Sequence, residues 1–307
     1  MLITAPNLGN LFSGFKTSFN KGFQGAPSTY QKIAMEVPSQ TGEEKYAWLG
    51  STPILREWVG PRIVRNLEIH GYTIKNRPFE MTISVSQDHI EDDAVGVFTP
   101  LFENMGYESR RHPDALVYEL LASGFTDHCY DGKPFFAEDH PVHTSESVTV
   151  PHSNMQAGDG PAWFLIDGSR PIKPIVFQKR RDYEFQRQDS PTDDNVFNKR
   201  EFIYGVVARV NAGFGLWQLA YGSKAPLTVE NYEAARAAMT SVRGDNGRKM
   251  GVSPTILVVP DELDGAGRRV VNNTTRVVTV GEPPDERSVA IANEWAGSAE
   301  LVVSAHL

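Results

Sequence analysis

The side chains best suited to chemistry in this sequence fall between Asp88 and His143. Cys129, Asp131, Asp139, His140 and His143 gather a thiol, two carboxylates and two imidazoles in one short stretch, with His128 beside them. Groups of this kind bind zinc or activate a water for hydrolysis. Upstream, Asp88, Glu91, Asp92 and Asp93 add more carboxylates. The enzymatic reading is therefore a metal-dependent hydrolase built on Asp131, Asp139, His140 and His143, helped by the acids at 91–93.

The spacing argues against that reading. There is no Cys-x-x-Cys and no His-Glu-x-x-His, and Cys129 is the single thiol. A lone cysteine is more often a small buried residue than a ligand, and Asp131-Gly132 is an ordinary turn signal. Asp88 or Asp92 can cap the helix that follows, with the neighbouring acids stabilised at its positive end, and EF-hand spacing is missing. Gly213-Phe214-Gly215 lacks the third glycine of a dinucleotide loop. No nucleophile elbow, phosphate loop or internal repeat is present. The expectation is no catalytic residue, no metal ligand and no cofactor.

Bulk composition narrows the class further. A chain of 307 residues, 40% hydrophobic and 22% charged, has the make-up of a folded globular protein of one large or two modest domains. No apolar run reaches membrane-spanning length, and Met1 to Pro6 lacks the form of a signal peptide. One cysteine cannot form an internal disulfide, which suits a reducing compartment. A net charge of −8 excludes general attraction to nucleic acid or anionic lipid, but not enclosure of nucleic acid.

The elements around the candidate residues can be read from periodicity. Leu8, Leu11, Phe12, Phe15, Phe19 and Phe23 form an aromatic helical face, cut off by Gly25-Ala26-Pro27-Ser28; an arm lying on a neighbouring subunit is favoured over core packing. Residues 40–77 are strand-like and aromatic, with His70-Gly71 as a hairpin turn. They have few partners within themselves, so something else must cover them. Met81, Ile83 and Val85 alternate with polar residues and predict a strand with one buried face. The helical pattern from Val97 to about Phe125 predicts about 28 residues, roughly 40 Å, kinked or restarted at Pro113. Residues 143–161 and 188–195 read as surface loops. Strands are expected at 163–178, 201–210, 254–260, 277–280 and 300–303. Lys179-Arg180-Arg181, followed by Asp182 and Glu184, reads as a self-paired solvated surface. A helix capped by Thr228 should bury Tyr232, Ala235 and Met239, and a weaker one, with Gly265 and Gly267, follows Asp261.

Several stretches carry a family resemblance. They are Tyr46-Ala47-Trp48-Leu49-Gly50, Arg56-Glu57-Trp58-Val59-Gly60 with Arg62, Asn76 to Val85, Ile90-Glu91-Asp92-Asp93 with Gly96-Val97, and His112-Pro113-Asp114. Tyr130-Asp131-Gly132 through Asp139-His140-Pro141-Val142 is the most specific. Ser169 to Pro174, Trp217 to Ser223 and Ile256 to Pro260 extend the match. The sequence resembles the major head (capsid) proteins of Mu-like tailed phages and prophages over essentially its whole length.

That resemblance implies an α+β chain of the Hong Kong 97-like capsid fold. Its parts are placed as an N-terminal arm (1–40), an extended loop (41–79), a periphery domain (80–225) with a spine helix near 97–125, an axial domain (226–285), and a return to the periphery domain (286–307). It implies a structural protein of the virion, assembled in the bacterial cytoplasm from copies of itself. Pentamers and hexamers would tile an icosahedral shell around double-stranded DNA. Separate scaffold, portal and decoration proteins are the expected partners, with no membrane and no sequence-specific DNA binding. A tail or portal ring shares the strand at 80–86 but not the whole-length resemblance.

Overall fold

The computed structural model describes residues 2–47, 49, 71–92, 95–145, 148–244, 248–280 and 287–307. The chain opens with α1, Ala5–Gly25. The Thr4 hydroxyl caps it by accepting from the Asn7 amide at 3.4 Å, and Pro6 sits in the first turn, where an N–H is dispensable. Leu8, Leu11, Phe15 and Phe19 recur at three- and four-residue steps and so share one face. The sequence favours burial of this face on a neighbour, and the structure corrects that. It is buried on the chain's own core, against Phe102, Met105, Phe185, Phe202 and Tyr204. Phe15 stacks on Phe102 at 4.0 Å and Phe19 on Phe185 at 5.2 Å between ring centroids.

Phe102 and Met105 belong to α3, Val95–Ser123, a single helix of 29 residues. It runs through both Pro100 and Pro113 without a second start. Its buried Asp114 ties down the chain leaving α1. The carboxylate accepts from the Ser28 hydroxyl at 2.6 Å and from the Thr29 and Tyr30 amides at 2.7 and 2.8 Å.

Under α3 lies a four-stranded sheet in the order β1 (Ala34–Pro38), β9 (Ile175–Gln188), β10 (Glu201–Phe214), β4 (Arg77–Ser86). β4 pairs with β10 along ten residues and forms one edge. Of its expected buried face only Val85 is fully covered, whereas Ile83 is half-buried and Met81 exposed. The reason is local: Met81 lines an open cleft of about 330 Å³ between β4 and α3. The short α2, Gln87–Glu91, is capped by Ser86, whose hydroxyl accepts from the Asp88 amide at 3.3 Å. Asp88 lies in its first turn and Asp92 closes it. The two residues between Asp92 and α3, where a cap of the longer helix would fall, lie outside the described residues.

A five-stranded sheet runs β15 (Glu300–Val303), β12 (Ile256–Val259), β8 (Trp163–Ile166), β11 (Ala220–Ser223), β7 (Met155–Gln156). Every residue of β8 and β12 is buried, as a continuous apolar run on a doubly covered strand should be. α5, Val229–Ser241, starts at the Thr228 cap and buries Tyr232, Ala235 and Met239, as the pattern predicts. α6, Asp264–Val271, forms despite its glycines. Gly267 lies against Leu301 of β15, where a Cβ would come within 2.7 Å of Leu301 Cδ1.

Smaller ladders complete the fold. β2 (Glu43–Lys45) pairs with β3 (Thr73–Lys75), joining the two ends of the 46–72 excursion. Most of that excursion, including Trp58 and the His70 half of the expected His70-Gly71 turn, lies outside the described residues. The expected loop at 143–161 instead holds a hairpin of β5 (His140–Ser145) and β6 (Val148–His152), followed by β7. Its polar residues can lie on exposed strands, so composition alone misreads it. α4, Asp194–Lys199, sits between β9 and β10. β13 (Thr275–Val280) pairs with β14 (Arg287–Ala292), a strand the sequence reading misses. No helix among the described residues is long and apolar enough to cross a membrane.

Candidate functional site

The Cys129-to-His140 stretch folds as a tight turn. The Cys129 amide donates to the Lys133 carbonyl at 2.8 Å, and Gly132 takes a positive φ of 79°, the left-handed conformation that glycine allows without strain. This brings Cys129, Asp131 and His140 together, with ligand atoms within 4.8 Å of one another. Asp131 accepts from the Cys129 thiol at 3.1 Å and the Lys133 amide at 3.0 Å through one oxygen, and from His140 Nδ1 at 2.7 Å through the other. His140 Nε2 faces the Phe135 carbonyl at 3.3 Å, and the fully buried ring stacks on Trp217 at 4.1 Å.

The electrostatics favour a knot over a reactive centre. Burial pushes the Cys129 thiol far above its ordinary value, and the Asp131 carboxylate adds to the rise. It therefore stays a protonated donor to Asp131, whereas a nucleophilic cysteine is a thiolate. Burial alone would raise Asp131, but the hydrogen bonds from His140 and Cys129 outweigh it and hold the carboxyl below its usual range. The three side chains satisfy one another and fasten the turn to β5.

The other suspected residues are elsewhere. Asp139 turns outward into an exposed ion pair with Lys133. Asp88 pairs with Arg200 at 2.7 Å, and exposed Glu91 accepts from Gln87 at 3.0 Å. The side chain of His143 and all of Asp93 lie outside the described residues. None of Asp131, Asp139 and His140 lines the cleft beside β4, whose walls include Phe79, Met81, His112 and Tyr183. The basic run behaves as expected, with Lys179 paired to Asp182 and Arg181 to Glu184.

What the chain does offer is exposed apolar surface. Val97 and Leu101 at the start of α3, Phe197 on α4 and Val277 on β13 are all solvent-facing, Phe197 at 80%. Large exposed apolar side chains mark surfaces for association when they gather in patches. The reading of 188–195 as a polar loop gives no hint of Phe197; its one signal is an isolated aromatic among Asp, Asn and Lys.

Comparison with known proteins decides what kind of surface this is. The family of the Mu-like prophage major head subunit gpT matches residues 8–307. The chain belongs to this family. The chain is 39% identical to the major capsid protein of Escherichia phage Mu, over 100% of both chains. It is 38% identical to the FluMu prophage major head subunit of Haemophilus influenzae, over 93% of this chain and 92% of that one. Among solved structures it is similar to the procapsid of bacteriophage JBD30, at 37% identity and a TM-score of 0.84 over 99% of this chain and 100% of that one. The JBD30 capsid gives 29% identity and a TM-score of 0.74 over 100% and 99%.

The chain is thus a major capsid protein with the Hong Kong 97-like fold, a structural component of the phage virion and not an enzyme. The hydrolase alternative is set aside. Among the described residues its members are dispersed or mutually satisfied, and whole-length relatives are capsid proteins. The functional site is the set of surfaces through which copies build a shell.

Proposed function

We propose that copies of this chain form pentamers and hexamers that tile a closed icosahedral shell around double-stranded DNA, in the bacterial cytoplasm. The observation that carries this is the similarity to the JBD30 procapsid subunit over essentially the full length. Individually weak contacts suffice, because each subunit shares many of them in a closed shell. A net charge of −8 suits a container, since a basic wall would hold packaged DNA through salt-dependent phosphate contacts. Separate scaffold, portal and decoration proteins complete the assembly; the JBD30 capsid has been described with minor capsid protein trimers decorating it.

Within the subunit we assign residues 1–40 to an N-terminal arm folded back onto its own chain, 41–79 to an extended loop, 80–225 to the periphery domain, 226–285 to the axial domain, and 286–307 to the return. The β2–β3 ladder supports the loop by clamping both its ends, and the 29-residue α3 supports the spine. The five-stranded sheet draws strands from both sides of residue 225 and couples the two larger parts.

Light scattering and negative-stain microscopy of the purified chain, with and without its scaffold, test the proposal. Rings and closed shells are expected. A stable monomer in both conditions would overturn it. Elemental analysis of the same sample should find no stoichiometric metal, and a chelator should leave its melting temperature unchanged.

A further inference from the structure

The β13–β14 ribbon is the least supported element of the fold. It is a sheet of two strands, six residues each, and a lone pair of strands is marginal in water. One face carries Thr275, Val277 and Thr279 opposite Ala292, Ala290 and Ser288, and all six are exposed. Val277 is 70% exposed. No charge lies on that face, in a chain where 22% of residues are charged. On the other face Arg276, Val278, Val289 and Ile291 are half-buried, while Val280 and Arg287 at the far end are exposed. There Arg276 reaches Glu294 at 2.6 Å, anchoring the ribbon at its base.

Both outer edges of the ribbon are unpaired among the described residues. Exposed edges are normally blunted by lysine, proline or a bulge, since their free N–H and C=O groups template pairing with another chain. β13 and β14 contain no lysine and no proline, and their register is unbroken over six pairs. Their hydrogen-bonding pattern fits a further strand of the same kind. Each copy brings two such edges, so one copy's β13 edge can meet the next copy's β14 edge. A head-to-tail contact of this kind closes into a ring when the rotation allows.

We propose that the β13–β14 ribbon is an interface between copies, its free edges pairing with the ribbon of a second copy to give a continuous sheet within each ring. This rests on the shell reading above, which supplies the second copy.

The geometry sets the test. Equivalent residues on adjacent ribbons would lie two strand spacings apart, about 10 Å. The variant Thr279→Cys places one exposed thiol on the ribbon, while Cys129 is buried and serves as an internal control. Shells of this variant, treated with a bismaleimide of about 10 Å reach, should give a covalently linked dimer on a denaturing gel, since the single exposed thiol of each copy can be joined only once. The parent chain should give none. In parallel, Val277→Lys should keep the parent melting temperature and lose the shells. Shells of Thr279→Cys without the linked dimer, or normal shells from Val277→Lys, overturn the ribbon contact and leave the shell reading standing. A parent chain that forms no shells with its scaffold overturns both.

Discussion

Gly22 of α1 and Gly106 of α3 meet where the two helices cross, and neither position can hold a side chain. A Cβ on Gly22 would collide with the Glu103 carbonyl, and one on Gly106 with the Phe19 carbonyl. The obstacle at both is backbone, which cannot swing aside as a flexible side chain could. This close approach seats the aromatic face of α1 on its own chain.

Gly22→Ala should therefore separate the helices and destabilise the subunit. Overpacking a tight contact costs about 1–3 kcal/mol, and a backbone obstacle puts this case at the upper end. Gly14→Ala is the contrasting control: Gly14 is exposed, with nothing near its missing Cβ, and alanine there should stabilise by about 0.5–1 kcal/mol. Calorimetry of the two variants should move the melting temperature in opposite directions.

Removal of residues 1–25 should unfold the subunit, not merely block assembly. Leu8, Leu11, Phe15 and Phe19 are buried, and each is worth about 1.5–3 kcal/mol, so the sum is about 6–12 kcal/mol as an upper bound. A domain's whole stability is about 5–15 kcal/mol. Circular dichroism of the truncated chain should show lost cooperativity; a sharp transition at the parent temperature would restore α1 to the role of a detachable arm.

Asp114→Ala should cost about 2–3 kcal/mol, because it strands the buried Tyr30 amide and the half-buried Thr29 amide. Asp114→Asn should cost less, since its remaining oxygen can still accept from both. Urea melts of the two variants would rank them, and equal losses would contradict the role given to the amides.

Acidification should weaken the fold below about pH 6.5. Burial, and then the nearby His140, lower the pKa of His152; burial, and then Arg77, lower that of His112. Both folded values fall below the unfolded one, so each group's contribution is complete above pH 6.5 and is lost as pH falls toward the folded value. Asp131, also held low, adds a loss only below the ordinary carboxylate range. His152→Gln should thus show a smaller fall in melting temperature than the parent between about pH 7 and pH 5. An equal fall would place the sensitivity elsewhere.

Much of the architecture was legible in the residues. The three- and four-residue steps of Leu8 to Phe19, the Thr228 cap and the apolar run at 256–259 act within one element, where periodicity and capping suffice. The stretch from Tyr130 to Val142 carried the family resemblance, and its spacing already argued against a metal site. Other features depended on what lies opposite. Periodicity marks the face of α1 as apolar but is silent on whether its partner is α3 or a second copy; the backbone contact at Gly22 and Gly106 settled that. Alternation marks Met81 as inward-facing, yet only the position of α3 leaves it in an open cleft. The turn residues Asp131 and Gly132 are visible in sequence, but the pairing of Asp131 with His140, nine positions away, needs the fold to bring β5 back. Local signals are short-ranged by nature, and burial is a property of the surroundings. The elements were thus determined by the sequence, and their partners by tertiary packing.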